Sequence, residues 1–165
     1  MAYNVFYGFG TVYAMQYGVP KKKRGKMDPF SKIKKMKILL IDDDELIRDS
    51  FRLAFSRKGC FLMAVETAEE GLCVLQNNKF DIIISDFTLP GMNGIDFFRQ
   101  AAINQTNTAN VLISGNISPE KLSEKNEAKV HDFVQKPFSV TALAHTLAAL
   151  TENKKQNWQN LNRTL

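Results

Sequence analysis

Five short apolar runs constrain this chain more than any other feature: ILLI at 38–41, FLMAV at 61–65, DIIIS at 81–85, NVLIS at 110–114 and FVQ at 133–135. The clearest of them are almost unbroken rather than alternating, which is how a strand covered on both faces reads. Between them, apolar residues recur at helical spacing. Leu46, Ile47, Phe51, Leu53, Ala54 and Phe55 form one such set, Ala68, Leu72 and Leu75 a second, and Ile95, Phe98 and Ala102 a third. Ser118-Pro119-Glu120 supplies an N-cap, a proline at the first helical position and an acidic first turn. A last helix is expected from near Ser139 through Leu143, Leu147 and Leu150. Strands and helices in strict alternation predict an α/β domain, a doubly wound five-stranded parallel sheet with helices on both faces.

The regular pattern begins at Met36, so residues 36–150 are the expected domain and 151–165 a polar C-terminal tail. Residues 1–35 read as a disordered or non-native basic leader. All four tyrosines (Tyr3, Tyr7, Tyr13, Tyr17) lie there, among glycines and without sustained periodicity. The run PKKKRG at 20–25 resembles a nuclear localisation signal, but a solvated, self-repelling linker is the simpler reading. The net charge of +5 belongs to this leader. Residues 1–36 carry eight basic side chains against one acid, Asp28, and the rest of the chain holds 14 basic and 16 acidic ones. A nucleic-acid partner is therefore not expected for the body of the protein. No apolar run approaches a membrane span. Cys60 and Cys73 match no metal spacing and allow at most one bridge, which points to a reducing, cytoplasmic setting. His131 and His145 have no partners at ligand spacing and read as structural or solvated residues.

In a doubly wound sheet, ligands collect at the carboxyl ends of the strands, near the point where the strand order reverses. Here those ends are polar. The first predicted strand runs into Asp42, Asp43 and Asp44, the third through Ser85 into Asp86, the fourth into Ser114-Gly115 and the fifth into Lys136-Pro137. Clustered carboxylates repel one another unless a cation joins them. An all-oxygen set suits Mg²⁺, which takes only one or two carboxylates and keeps several waters. A carboxylate nucleophile, Mg²⁺, a hydroxyl and an ammonium together describe acceptance of a phosphoryl group.

The segments ILLIDDDELIR, DIIISDFTLPGMNG, VLISGN and FVQKPF resemble, in order, the marks of the receiver domain of two-component response regulators, across about residues 36–150. The resemblance implies a flavodoxin-like (βα)5 fold with strand order 2-1-3-4-5, of the single-domain chemotaxis type. It implies that Asp86 accepts the phosphoryl group and that Asp43 contacts Mg²⁺ directly. Asp42 would hold a metal-bound water, and the backbone carbonyl of Thr88 would complete the site. Ser114 matches the switch hydroxyl, Phe133 the aromatic switch position, and Lys136 the lysine that pairs with the phosphoryl oxygens. The Lys136-Pro137 bond is expected to be cis. Leu89 and Asn93 depart from the family pattern without touching this chemistry, and Asp44 reads as a helix start. Phe133 is equally open to an ordinary core role, and Gly91 and Gly94 read as serving the backbone of the loop after the third strand.

The implied function is a stand-alone switch that catalyses its own phosphorylation and dephosphorylation. Its phosphoryl donor would be a histidine kinase or histidine phosphotransfer protein. Its output would pass to a downstream protein or to a second copy of the chain. The alternatives are a receiver-like binding module that signals without phosphorylation, and a DNA-binding regulator acting through the basic leader. A haloacid-dehalogenase-like hydrolase would need an Asp-x-Asp pattern after the first strand that IDDDE serves poorly.

Overall fold

A computed structural model of the chain describes residues 28–105, 107–116 and 127–161. Leader residues 1–27 and the expected helix start at Ser118-Pro119-Glu120 lie outside them. A short α1 (Pro29–Ile33) precedes β1 (Lys37–Ile41). Then come α2 (Glu45–Arg57), β2 (Phe61–Val65), α3 (Ala68–Asn77), β3 (Ile82–Asp86), α4 (Gly94–Ala101), β4 (Ala109–Ser114), β5 (Asp132–Gln135) and α5 (Val140–Leu161). The strands form one sheet in the order β2-β1-β3-β4-β5, with every pairing parallel. This is the doubly wound architecture that the alternating pattern predicts.

The unbroken apolar runs are explained by two cores, one on each face of the sheet. Side chains alternate across a strand, so in β1 Ile38 and Leu40 enter one core with Phe51, Phe55 and Leu147. Leu39 and Ile41 enter the other, with Phe97 and Phe98. These four residues are fully buried, and only Lys37 at the start of β1 is exposed. Where a strand serves two cores on both faces, no position is left for a polar residue, hence the continuous run from Ile38 to Ile41.

Three expectations about the helices and their boundaries need correction. Among the described residues, packing extends upstream of Met36: Phe30 and Ile33 lie three apart on α1 and are buried in the first core. The surrounding basic residues hid that pair in the sequence. On α2 the buried residues are Arg48, Phe51 and Phe55, whereas Leu46 and Leu53 are exposed. One stripe at helical spacing faces the sheet, and the two leucines lie off it. The last helix continues past Leu150 to Leu161, and Thr151 is still buried, its hydroxyl donating to the Ala148 carbonyl at 2.8 Å. Of the two cysteines, Cys60 is buried and Cys73 is exposed.

No described helix is long and apolar enough to cross a membrane.

Candidate functional site

β1 and β3 are hydrogen-bonded neighbours with Ile41 opposite Ser85, so the next residues along each strand, Asp42 and Asp86, meet at the carboxyl edge of the sheet. This is where the strand order reverses, the place where open α/β sheets bind ligands. Carboxylate oxygens of Asp42, Asp43 and Asp86 all lie within 4.8 Å of one another. Asp42 is fully buried and Asp86 nearly so, while Asp43 is exposed. Asp44 stays out of the cluster. As expected it caps α2, its Oδ1 accepting from the N–H groups of Leu46 at 2.8 Å and Ile47 at 3.4 Å.

Lys136 arrives from the far side. β5 is separated from β3 by β4, so the two backbones lie about 10 Å apart at ordinary strand spacing, and the long lysine stem meets the aspartate side chains part of the way across. Its Nζ donates to Asp42 Oδ2 at 3.3 Å and to Asp86 Oδ2. The Lys136–Pro137 peptide is cis, as expected.

The electrostatics follow from burial. Desolvation pushes the Asp42 carboxyl above the usual aspartate value, with the Asp86 charge adding to it, against the Asp44 N–H and Lys136, which favour the anion. For Lys136, burial acts to lower the ammonium, but the hydrogen bond and charge of Asp86, with help from Asp42, outweigh it and leave the pKa raised. The ammonium is therefore held charged beside the carboxylates. The donor set is all hard oxygen, with no thiolate or imidazole, and fits a small divalent cation better than zinc or copper.

The loop after β3 shapes the rest of the pocket. Thr88 N–H donates to Asp86 Oδ1 at 3.1 Å. Gly91 has φ +77°, which favours glycine. Gly94 answers a different demand: a Cβ there would lie 2.2 Å from the Asp86 carbonyl oxygen, so only a glycine lets the start of α4 come this close. Asn93 caps α4, its Oδ1 accepting from Ile95 and Asp96 N–H, both at 2.9 Å.

Ser114 ends β4 one residue past Ile113, the partner of Asp86. It is buried, and its hydroxyl donates to the Asn116 carbonyl at 2.6 Å and accepts the Asn116 N–H at 3.2 Å. Phe133 on β5 is half-buried against the second core. His131 is structural: its Nδ1 accepts the Asn110 N–H at 3.0 Å.

Sequence reasoning missed Arg48. It is buried, donates through Nη1 to the Asp42 carbonyl at 2.8 Å, and through Nη2 to Glu66 Oε2 at 3.2 Å. The available signal was its spacing, three before Phe51 and seven before Phe55, which puts a charge on the buried stripe of α2.

Comparison with known proteins agrees with this geometry. Residues 38–148 match the family described as response regulator receiver domain. The sensory/regulatory protein RpfC of Xanthomonas campestris pv. campestris is 28% identical over 130 residues, 76% of this chain and 18% of that protein. The cell cycle transcriptional regulator CtrA of Caulobacter vibrioides is 26% identical over 129 residues, covering 78% of this chain and 56% of its own. The chain thus spans about half or less of these curated relatives. Among solved structures, a CheY-like receiver domain protein from Methanospirillum hungatei JF-1 superposes with TM-score 0.69 at 24% identity, over 73% of this chain and 97% of that one. The chemotaxis response regulator CheY4 of Vibrio cholerae gives 0.60 at 26% identity, over 72% and 97%. With a family match across the whole sheet and an acidic pocket at its carboxyl edge, the chain belongs to the receiver-domain family of response regulators.

Proposed function

We propose that the protein is a phosphorylation switch in which Asp86 takes a phosphoryl group from a phosphohistidine on a histidine kinase or histidine phosphotransfer protein. One Asp86 carboxylate oxygen attacks phosphorus, the P–N bond breaks, and the imidazole leaves. Asp42, Asp43, Asp86 and the backbone carbonyl of Thr88 would hold Mg²⁺, which supplies charge compensation for the phosphoryl oxygens. Lys136 supplies the second positive charge. The observation that carries this reading is the bridging ammonium of Lys136 on both Asp42 and Asp86 within a three-carboxylate cluster.

Output follows from the neighbours. A phosphoryl oxygen on Asp86 competes with Asn116 for the Ser114 hydroxyl, and a charge-assisted hydrogen bond of about 1.5–3 kcal/mol favours the exchange. Movement of Ser114 opens space for Phe133 to turn inward, reshaping the surface around β5 and α5 for a partner protein or a second copy. The free thiols of Cys60 and Cys73 are compatible with a cytosolic setting.

The test is incubation with acetyl phosphate and Mg²⁺ followed by intact-mass measurement. The wild type should gain one phosphoryl group and Asp86→Asn none, since the amide keeps the shape and loses the nucleophile. Modification of Asp86→Asn would defeat the assignment. No gain in the wild type would favour a phosphorylation-independent binding module.

A further inference from the structure

We propose that Arg48 is a positioning residue for the metal-binding carboxylate of Asp43, acting through the peptide that joins Asp42 to Asp43. The inference rests on reading the pocket as a Mg²⁺-dependent phosphoryl-acceptor site. Its basis is local geometry. A peptide unit is planar, so the Asp42 carbonyl and the Asp43 N–H turn together. Holding that carbonyl sets the direction in which Asp43 leaves the strand end. Arg48 Nη1 holds it at 2.8 Å. Asp43 itself is exposed, so packing does little to fix it.

The other polar atoms of Asp42 are already engaged. Its N–H donates to the Val65 carbonyl at 3.3 Å, Oδ1 accepts from Asp44 N–H at 3.0 Å and Oδ2 from Lys136 at 3.3 Å. These contacts fix the Asp42 side chain and the peptide before it. The bond from Arg48 is the one that fixes the peptide after it. The second arm of the guanidinium reaches Glu66, whose side chain is 58% exposed against 10% for Arg48. An ion pair so open to water is weak compensation for burying a cation. The planar fork of arginine gives each acceptor its own nitrogen, whereas a lysine would have to serve both from one nitrogen on a shorter stem.

Electrostatics and positioning predict opposite signs. A cation beside the acidic pocket repels Mg²⁺, so removing it for charge reasons alone would tighten metal binding. Removing a group that aims Asp43 loosens it. We expect Arg48→Met, which keeps the apolar stem, to raise the Mg²⁺ dissociation constant about tenfold, roughly the effect of losing one hydrogen bond from a charged group. Arg48→Lys should raise it by a smaller factor. Glu66→Gln, which retains an acceptor and leaves the carbonyl bond intact, should change it less than about twofold.

The experiment is a titration of the full-length chain with MgCl₂, followed through the amide shifts of Asp43 and Asp44, with thermal melting recorded separately. A merely structural Arg48 would lower the melting temperature and leave the dissociation constant, measured well below it, unchanged. Unchanged or tighter binding in folded Arg48→Met overturns the proposal. Should that variant not fold, unchanged binding in Arg48→Lys overturns it equally. A wild type that binds no Mg²⁺ refutes the phosphoryl-acceptor reading and this inference with it. A wild type that binds and a variant that matches it refute the inference alone.

Discussion

Replacing Ile33 with alanine measures how firmly α1 belongs to the domain. A five-residue helix cannot hold itself in water, so its stability comes from docking. Ile33 is fully buried and Phe30 is 5% exposed. The Phe30 and Phe55 rings meet edge-to-face, with centroids 5.3 Å apart. Ile33→Ala removes three carbons, worth about 0.8 kcal/mol each in transfer. The cavity adds to that, giving about 3 kcal/mol, inside the range of roughly 2–5 kcal/mol for such truncations. With a urea slope of about 1.5–2 kcal/mol per molar, the unfolding midpoint should fall by about 1.5–2 M, read by far-UV circular dichroism. Exposed Lys35 provides the control, and Lys35→Ala should stay within about 0.5 kcal/mol. A chain begun at Met36 loses both apolar anchors, roughly 3–6 kcal/mol of burial, against a total of about 5–15 kcal/mol for a typical domain. If Ile33→Ala shifts the midpoint no further than Lys35→Ala, α1 is not part of the core.

Gly94→Ala should lower stability by at least about 1–3 kcal/mol in the same urea assay, because its Cβ would sit 2.2 Å from the backbone oxygen of Asp86 and no rotamer change can relieve that. It should also slow acetyl-phosphate labelling of Asp86, and a variant as stable as wild type would show that α4 has room to move. The pH dependence of α1 follows from Asp28, whose carboxyl is held below the usual aspartate value chiefly by its hydrogen bond from Lys58, 2.8 Å long. A depressed carboxylate contributes stability above its unfolded value, and that contribution is lost as pH falls through the folded one. Amide protection of Phe30 should therefore decline on acidification below the ordinary carboxylate range and do so less in Asp28→Asn, with equal decline in both counting against the argument.

Much of the architecture was legible because strand and helix periods are local properties. The runs at 38–41 and 81–85 announced strands buried on both faces, and parallel pairing follows once helices separate them. The acidic ends of the first and third strands, with lysine after the fifth, marked the pocket, because a parallel sheet carries all its strand termini to one edge. The strand order came only with the family resemblance, since periodicity does not say which strands are neighbours. Other features depended on contacts between distant parts of the chain. Phe30 and Ile33 look like part of a basic leader until Phe55 and the sheet receive them. Leu46 and Leu53 carry the same apolarity as Phe51, yet only Phe51 faces the core. The hydroxyl of Ser114 could have pointed several ways, and the loop to Asn116 settled it. Sequence by itself determined which segments are strands and which residues stand at their ends, because backbone geometry sets those periods residue by residue. Tertiary structure alone decided that Arg48 grips the Asp42 carbonyl and that α1 closes the core, because burial depends on which surface a side chain meets, and that surface is built from residues far away in the chain.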